Sequence, residues 1–362
     1  MDRINIFTAQ AASALVCIIA SGCAASAPTT ATGPDRSAEL TSDSRSPQAE
    51  PARSAAAAPR GPYLGQRASA APTLFAPGWV STRHNELNAA LSPDGRELFF
   101  SLTDPGDNVA AIMVSQQIAG VWSEPQVAPF SGQYSDVDPN FSPDGKRLYF
   151  CSTRPLTGDG PAKDADIWYV ERTADGWSEA VNIGPPINTD KNDWYPSLTT
   201  DGTIYYSTWD PQRKTDDIFR ARPTGDGGYS VENIGAPINT GFVEFDPFIA
   251  PDESYLLFAS YRRDGFGSSD LYISINNDGQ WSEPRNLGPE INSPSKDYCP
   301  VVSADGRYFL FTSKRPAIPY ASAERKDAAT LLERYDTIGN GLGNIYWMSS
   351  TVLGLPGSAG TR

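Results

Sequence analysis

The stretch Asp136-Val-Asp-Pro-Asn-Phe-Ser-Pro-Asp-Gly145, followed by Lys146-Arg-Leu-Tyr-Phe-Cys-Ser152, decides the fold, because the 362-residue chain carries five versions of it. The versions occupy residues 86–95, 136–145, 193–202, 244–253 and 297–306. Successive copies of the turn position are therefore 50 to 57 residues apart. A period near 50 residues, with short alternating strands inside each period, is typical of repeat architectures.

Each repeat predicts four antiparallel strands. The first turns through Ser-Pro-Asp-Gly, a sequence that favours a tight hairpin, and the second is rich in aromatic and branched residues. The third carries Asp-Ile-Trp or a variant, and the fourth follows Gly-x-Trp-Ser-Glu. Four strands per repeat make one propeller blade. We therefore predict an all-β, five-bladed β-propeller, with six blades including one degenerate as the alternative. The blades are expected near residues 84–132, 133–190, 191–241, 242–294 and 295–350.

The fifth repeat lacks a fourth strand, and a segment before the first repeat can supply it. In three places a Thr or Ser stands four residues before the acid that opens a repeat, and Thr82 stands four residues before Glu86. We expect residues 73–82 to form the outer strand of the last blade, alongside Ile345–Met348. Such a latch would close the ring and remove two open sheet edges.

The N-terminal region predicts export. Residues 1–23 combine a charged start, a short apolar stretch and small residues before Cys23, which predicts a lipoprotein-type signal peptide with lipidation at Cys23. An ordinary signal peptide is the alternative. Residues 24–70 are rich in Ala, Pro, Ser and Thr, which indicates a disordered tether. Residues 351–362 would form a tail.

Charge and residue counts restrict the function. The formal charge of −14 makes nucleic acid an unexpected partner, because phosphate binding depends on clustered Lys and Arg. A single histidine, His84, excludes a multi-histidine zinc or copper site. Cys151 and Cys299 are expected to be unpaired core thiols.

These repeats resemble the TolB-type β-propeller repeat, which is related to the WD40 propellers, in the variant of bacterial envelope lipoproteins. The resemblance rests on Asp-x-x-Pro-x-Phe-Ser-Pro-Asp-Gly, Asp-Ile-Trp and Asn-Ile-Gly-x-x-Ile-Asn, and it extends from about Leu74 to Ser350. It implies a propeller fold and an envelope location. It implies little about activity, because members range from binding modules to parts of enzymes. In this chain Glu253 replaces the turn glycine of the fourth repeat, where a positive φ is expected.

Five acids stand at the start of the innermost strand of every predicted blade, which places them near the channel mouth. We call them the ring acids: Glu86, Asp136, Asp193, Glu244 and Asp297. Two interpretations remain open. Each acid could accept hydrogen bonds from the loop before its own strand or pair with an arginine of a neighbouring blade, which repetition in every blade favours. Alternatively, the five could bind a ligand, with calcium as a possible ion and no other cofactor expected.

Other candidate ligand-binding residues lie on the same predicted face. They are Arg154, Trp209, Arg262, Arg315 and His84. The fifth blade also carries an insertion at 316–343, in which Ala328, Leu331, Leu332 and Tyr335 have helical spacing. We expect a short helix over the channel mouth, because long loops on rigid scaffolds often carry function.

The sequence thus predicts an exported, lipid-anchored propeller that binds a protein or glycan in the cell envelope, in the periplasm or at the surface. We expect a monomer that meets the membrane only through its lipid. The alternative is a carbohydrate-active enzyme of the glycoside hydrolase type, in which carboxylates at the channel mouth serve as acid and base. No catalytic residue can be named from the repeats alone.

Overall fold

The computed structural model describes residues 57–318 and 325–355, and these form a five-bladed β-propeller, as predicted. The predicted leader, the lipidation site Cys23 and the tether as far as residue 56 lie outside the described residues. Within the part that is described, no helix is both long and apolar enough to cross a membrane.

Blades 1 to 4 each run from an inner strand at the channel to an outer strand. Blade 1 contains β2 (Asn85–Leu91), β3 (Glu97–Thr103), β4 (Ala110–Ile118), β5 (Val121–Trp122) and β6 (Gln126–Val127). Blade 2 contains β7 (Asp136–Phe141), β8 (Arg147–Ser152), β9 (Asp166–Thr173), β10 (Gly176–Trp177) and β11 (Val181–Asn182). Blade 3 contains β12 (Asp193–Leu198), β13 (Ile204–Asp210), β14 (Thr215–Pro223) and β15 (Tyr229–Asn233). Blade 4 contains β16 (Glu244–Ile249), β17 (Tyr255–Ser260), β18 (Asp270–Asn277), β19 (Gln280–Trp281) and β20 (Arg285–Asn286).

Blade 5 closes the ring with the predicted latch. It consists of β21 (Asp297–Val302), β22 (Tyr308–Ser313), β23 (Asn344–Ser349) and the N-terminal β1 (Thr73–Leu74). In β1, Thr73 lies opposite Trp347 and Leu74 lies opposite Tyr346. The N–H of Phe75 then donates to the Ile345 carbonyl over 2.8 Å. The latch is confirmed, and it joins the two ends of the propeller in one sheet.

The outer strand differs from the sequence prediction because it is broken in blades 1, 2 and 4. In blade 1, the Ser123 N–H donates to the Gln116 carbonyl over 2.8 Å, and the Gln116 N–H donates to the Ser123 hydroxyl over 3.0 Å. A side-chain oxygen therefore replaces a carbonyl in the ladder, which interrupts the strand. Ser178 and Ser282 repeat this exchange in blades 2 and 4.

Residues 57–70, which the sequence assigned to the tether, pack against the propeller instead. The Gly61 carbonyl accepts hydrogen bonds from the Trp122 indole over 2.8 Å and from the Gln117 amide over 2.6 Å in blade 1. The 3₁₀ helix Pro62–Gly65 follows, and the Tyr63 ring packs on Tyr308 of blade 5 with centroids 4.4 Å apart. The prediction of disorder was wrong here because this short segment carries aromatic and apolar anchors.

The predicted tail begins as packed structure, because the short 3₁₀ helix Ser350–Leu353 buries Leu353.

Glu253 adopts a positive φ of 59° at the turn where the other blades use glycine. Its carboxylate accepts a hydrogen bond from the Tyr205 hydroxyl over 2.5 Å, which ties the blade 4 turn to blade 3.

Candidate functional site

The ring acids are fully buried, and each carboxylate binds its own surroundings rather than the channel. The Glu244 carboxylate accepts from the Thr240 N–H over 3.0 Å and from the Thr240 hydroxyl over 2.6 Å. The Asp297 carboxylate accepts from the Ser293 N–H over 2.5 Å and from the Ser293 hydroxyl over 2.7 Å. Equivalent bonds reach the carboxylates of Glu86, Asp136 and Asp193. This geometry supports the interpretation that each acid holds the loop before its own strand.

The three predicted arginines serve the same arrangement. Arg154, Arg262 and Arg315 pair with the ring acids of their own blades, at 2.8 Å from Asp136, 3.4 Å from Glu244 and 2.8 Å from Asp297, and not with those of a neighbouring blade as predicted. Each arginine also donates to a carbonyl of the loop before the inner strand. Each guanidinium lies over two aromatic rings of its blade, such as Phe150 and Trp168 for Arg154. Each arginine–carboxylate pair, covered by aromatic rings, therefore connects two loops of one blade. We call these three pairs the loop clamps.

Two ring acids have no arginine partner among the described residues. Burial raises the pKa of Glu86, whose carboxylate also accepts a hydrogen bond from Asn344 of blade 5 over 2.9 Å. Burial raises the pKa of Asp193 to about 7, and the nearby Asp166 carboxylate adds to the rise. Trp209 stands where blades 2, 4 and 5 have arginine, and its side chain is 39% exposed.

The remaining predicted residues do not meet at one point. His84 is exposed in the loop before β2. The insertion does contain a helix, α1 (Ala328–Tyr335), but its side chains do not line the cavity described below. Among the described residues, no group of three or more His, Cys, Asp or Glu side chains is placed to hold a metal ion together. Calcium at the ring acids stays a prediction.

The channel wall is formed by residues that follow the ring acids. In every inner strand the pairing register shifts just after the acid, and the residue two positions beyond the acid has a positive φ of 45° to 57°. These five residues are Asn88, Asp138, Tyr195, Asp246 and Cys299. Because such a bulge breaks the alternation of side chains, it can turn two successive residues toward the channel.

A cavity of about 350 Å³ lies at this end of the channel, and we call it the inner cavity. Its volume is within the range of about 300–1,000 Å³ that is usual for small-molecule sites. The residue directly after each ring acid lines it in all five blades, namely Leu87, Val137, Trp194, Phe245 and Tyr298. The inner cavity therefore has an aromatic wall on blades 3, 4 and 5.

Tyr195 closes the channel beneath the inner cavity. Its hydroxyl reaches from blade 3 to blades 1 and 5, where it lies 2.9 Å from the Pro300 carbonyl and 3.3 Å from the Asn88 side-chain oxygen. The side chain is 1% exposed. Beyond it lies a smaller cavity of about 140 Å³, lined by residues such as Ala89, Phe141 and Phe248 and by no charged side chain among the described residues. The charged groups that line these two cavities therefore all lie in the inner cavity.

Two carboxyl groups in the inner cavity have different surroundings. The Asp246 carboxylate accepts hydrogen bonds from the N–H of Cys299 over 3.1 Å and from its thiol over 3.4 Å. No hydrogen bond within the described residues reaches the Asp138 carboxylate. Burial, with the nearby Asp246 charge, holds the pKa of Asp138 well above its usual range, while the Lys296 ammonium opposes the shift. Asp138 is therefore the better proton donor and Asp246 the better acceptor.

Two buried hydroxyl groups in the same wall have no hydrogen-bond partner. They are the Tyr298 phenol and the Ser207 hydroxyl, in side chains that are 5% and 1% exposed. Buried polar groups normally find a partner, since leaving one unsatisfied costs about 1–3 kcal/mol. Both side chains belong to the wall of the inner cavity, while the two hydroxyl oxygens themselves are closed off from solvent.

The sequence reasoning missed these residues because it selected positions that repeat. The ring acids recur in all five blades and have structural roles, whereas the position two residues further on is Asp in blades 2 and 4 and Asn, Tyr or Cys in the others. A position inside a regular repeat whose residue type varies between blades was the signal that could have identified the inner cavity.

No protein family matches the sequence, and no curated protein matches it. Among solved structures, the chain is similar to an α-L-arabinofuranosidase from Lactobacillus brevis, with 13% identity, a TM-score of 0.44, and coverage of 74% of this chain and 90% of that one. It is also similar to a thermostable family-43 glycoside hydrolase, with 12% identity, a TM-score of 0.42, and coverage of 75% and 89%. A gluconolactonase from Xanthomonas campestris shows 14% identity, a TM-score of 0.44, and coverage of 72% and 80%. Identities and scores this low say nothing about the activity of the present chain.

Proposed function

We propose that the propeller binds a sugar unit of a glycan in the inner cavity. The observation that carries this proposal is the aromatic wall of that cavity, which Trp194, Phe245 and Tyr298 form beside two carboxyl groups. Sugars present several hydroxyls that donate and accept hydrogen bonds, and their apolar faces pack on aromatic rings. Trp194 and the stacked pair Phe245 and Tyr261, whose centroids are 5.2 Å apart, supply such rings.

Binding to a glycan array that holds neutral, acidic and amino sugars tests the proposal. Tyr298→Phe removes one hydroxyl without changing the packing, and we expect it to weaken binding about tenfold, as the loss of one buried hydrogen bond would. Because that hydroxyl is unpartnered without ligand, the same variant should not lower the melting temperature.

Tyr206→Phe is the matched control. The Tyr206 hydroxyl is also buried without a partner, but it does not line the inner cavity. We expect unchanged sugar binding in this variant. Equal losses in both variants, or no binding of any glycan by the wild-type protein, would contradict the proposal.

A second candidate function is hydrolysis of a glycosidic bond, and the unequal surroundings of Asp138 and Asp246 favour it. Asp138 would donate its proton to the leaving oxygen while Asp246 takes a proton from the attacking water. Release of reducing ends from glycans that bind, abolished in Asp138→Asn and in Asp246→Asn with binding retained, would support it. Binding without any release would leave the protein a glycan-binding module.

We also propose that the protein works in the cell envelope as a TolB-type propeller lipoprotein. The small residues before Cys23 and the apolar leader support lipidation, and the repeat pattern supports the relationship. Labelling of cells with a radioactive or alkyne-tagged fatty acid should mark the wild-type chain. It should fail to mark Cys23→Ser.

A further inference from the structure

The charged side chains that line the inner cavity indicate which charge a bound sugar should carry. Among the described residues, four acids and one cation line it: Asp107, Asp138, Asp216, Asp246 and Lys296. Asp107 is already neutralised by a salt bridge of 2.8 Å to Lys314. Lys296 lies near Asp138 and Asp246 and opposes the rise in pKa of both. Asp216 is the acid that these cations leave uncompensated.

Asp216 has no ion pair among the described residues, and no hydrogen bond there reaches its carboxylate. It is half-buried at the start of β14, and burial raises its pKa. A cation next to this carboxylate would offset the unfavourable burial of its charge.

The aromatic wall of the cavity already holds one ammonium group. The Lys296 Nζ lies 4.1 Å from the centroid of Tyr298 and 5.4 Å from that of Phe245. Aromatic faces attract cations, and the attraction increases when water is excluded. Tyr261 stacks on the Phe245 ring and is 41% exposed, so its ring is open to a second cation.

We infer that the sugar bound in the inner cavity carries an ammonium group, as a 2-amino-2-deoxy sugar does, and that Asp216 binds this group. The inference rests on the proposed sugar binding and adds to it the charge of the ligand. The unpartnered hydroxyls of Tyr298 and Ser207 would bind the sugar's hydroxyls, while Asp216 and the Tyr261 ring face its ammonium.

Matched pairs of ligands test the inference. Glucosamine and galactosamine glycosides differ from their N-acetylated forms by the ammonium charge. We expect the full-length protein to bind the amine forms about tenfold or more tightly, since a hydrogen bond to a charged group is stronger than a neutral one. The preference should decrease as salt is added.

Asp216→Asn should remove this preference, because an amide has nearly the shape of a carboxylate but no charge to attract the ammonium group. Asp226→Asn, in an exposed hairpin turn outside the cavity wall, is the control and should keep the preference. Circular dichroism would confirm that both variants are folded.

The results separate the two proposals. Equal binding of amine and N-acetylated sugars, preference for the N-acetylated form, or binding of neutral sugars alone would overturn the charge inference and leave sugar binding intact. A preference that persists in Asp216→Asn would overturn the role of Asp216. No binding of any sugar would overturn the inference together with the function on which it rests.

Discussion

Asp193 shows how one missing partner changes the behaviour of a repeated residue. Three ring acids have an arginine within 3.4 Å, but Asp193 is buried with neutral donors, the backbone N–H and hydroxyl of Thr189 and the hydroxyl of Thr208. Its pKa is raised to about 7, compared with 3.8 for an ordinary Asp. The folded state therefore binds a proton more tightly than the unfolded state between these two values. It follows that the free energy of unfolding falls as the pH rises from about 4 to 7, and levels off above that.

Asp193→Asn should remove this dependence, because an amide does not titrate. Relative to wild type, the variant should gain on the order of 2–4 kcal/mol of stability between pH 4 and pH 8. Urea unfolding at several pH values measures the difference. Asp175→Asn, at an exposed turn, should follow the wild-type curve. Parallel curves for Asp193→Asn and wild type would show that Asp193 is ionised in the fold at low pH.

The loop clamps connect two loops within one blade. In blade 2, Arg154 joins the loop after β8 to the loop before β7, through Asp136 and the Phe130 carbonyl. Replacing the arginine leaves a buried carboxylate without its cation. We expect Arg154→Met to destabilise the protein by about 3–5 kcal/mol, and Asp136→Asn added to it to restore part of that loss.

A surface pair in the same blade provides the comparison. Lys146 and Asp144 are 3.3 Å apart, with side chains that are 81% and 54% exposed. Lys146→Met should change the free energy of unfolding by less than about 1 kcal/mol. If thermal or urea unfolding gave similar losses for the two variants, the buried clamp would not have the structural role that its geometry indicates.

The elements also show what the sequence could and could not predict. Strand order, the hairpin turns and the latch follow from patterns that recur, such as Ser-Pro-Asp-Gly and the four-residue spacing from Thr82 to Glu86. The inner cavity depends on a bulge at the residue two positions after each acid, and that position is Asp in two blades and Asn, Tyr or Cys in the others. No local propensity predicts a positive φ for Tyr195 or Cys299. The packing of the surrounding ring imposes this backbone conformation, so only the three-dimensional structure reveals it.

The N-terminal segment passes twice between blade 1 and blade 5, where the ring of blades closes. We call this boundary the seam. Residues 57–66 contact blade 1 and blade 5 on one side, through Gly61 and Tyr63, and β1 completes the sheet of blade 5. Phe75 anchors this segment: it is fully buried, and its ring lies 5.0 Å from that of Trp347. Inner-cavity residues come from all five blades, so the closed ring is what holds Trp194 and Tyr298 around one space.

Phe75→Ala tests whether this closure supports the whole ring. The lost burial should destabilise the protein by about 3–5 kcal/mol, as large-to-small core changes do. Phe99→Ala, at an equally buried position inside blade 1, should have a similar effect on overall unfolding. Only Phe75→Ala should increase hydrogen exchange at 344–349 and 73–75 under native conditions, because only there is the seam released. It should also weaken sugar binding more than Phe99→Ala does, since opening the seam separates blade 5, with Tyr298, from blade 1. Identical exchange patterns in the two variants would mean that the latch is an ordinary strand and that the ring stays closed without it.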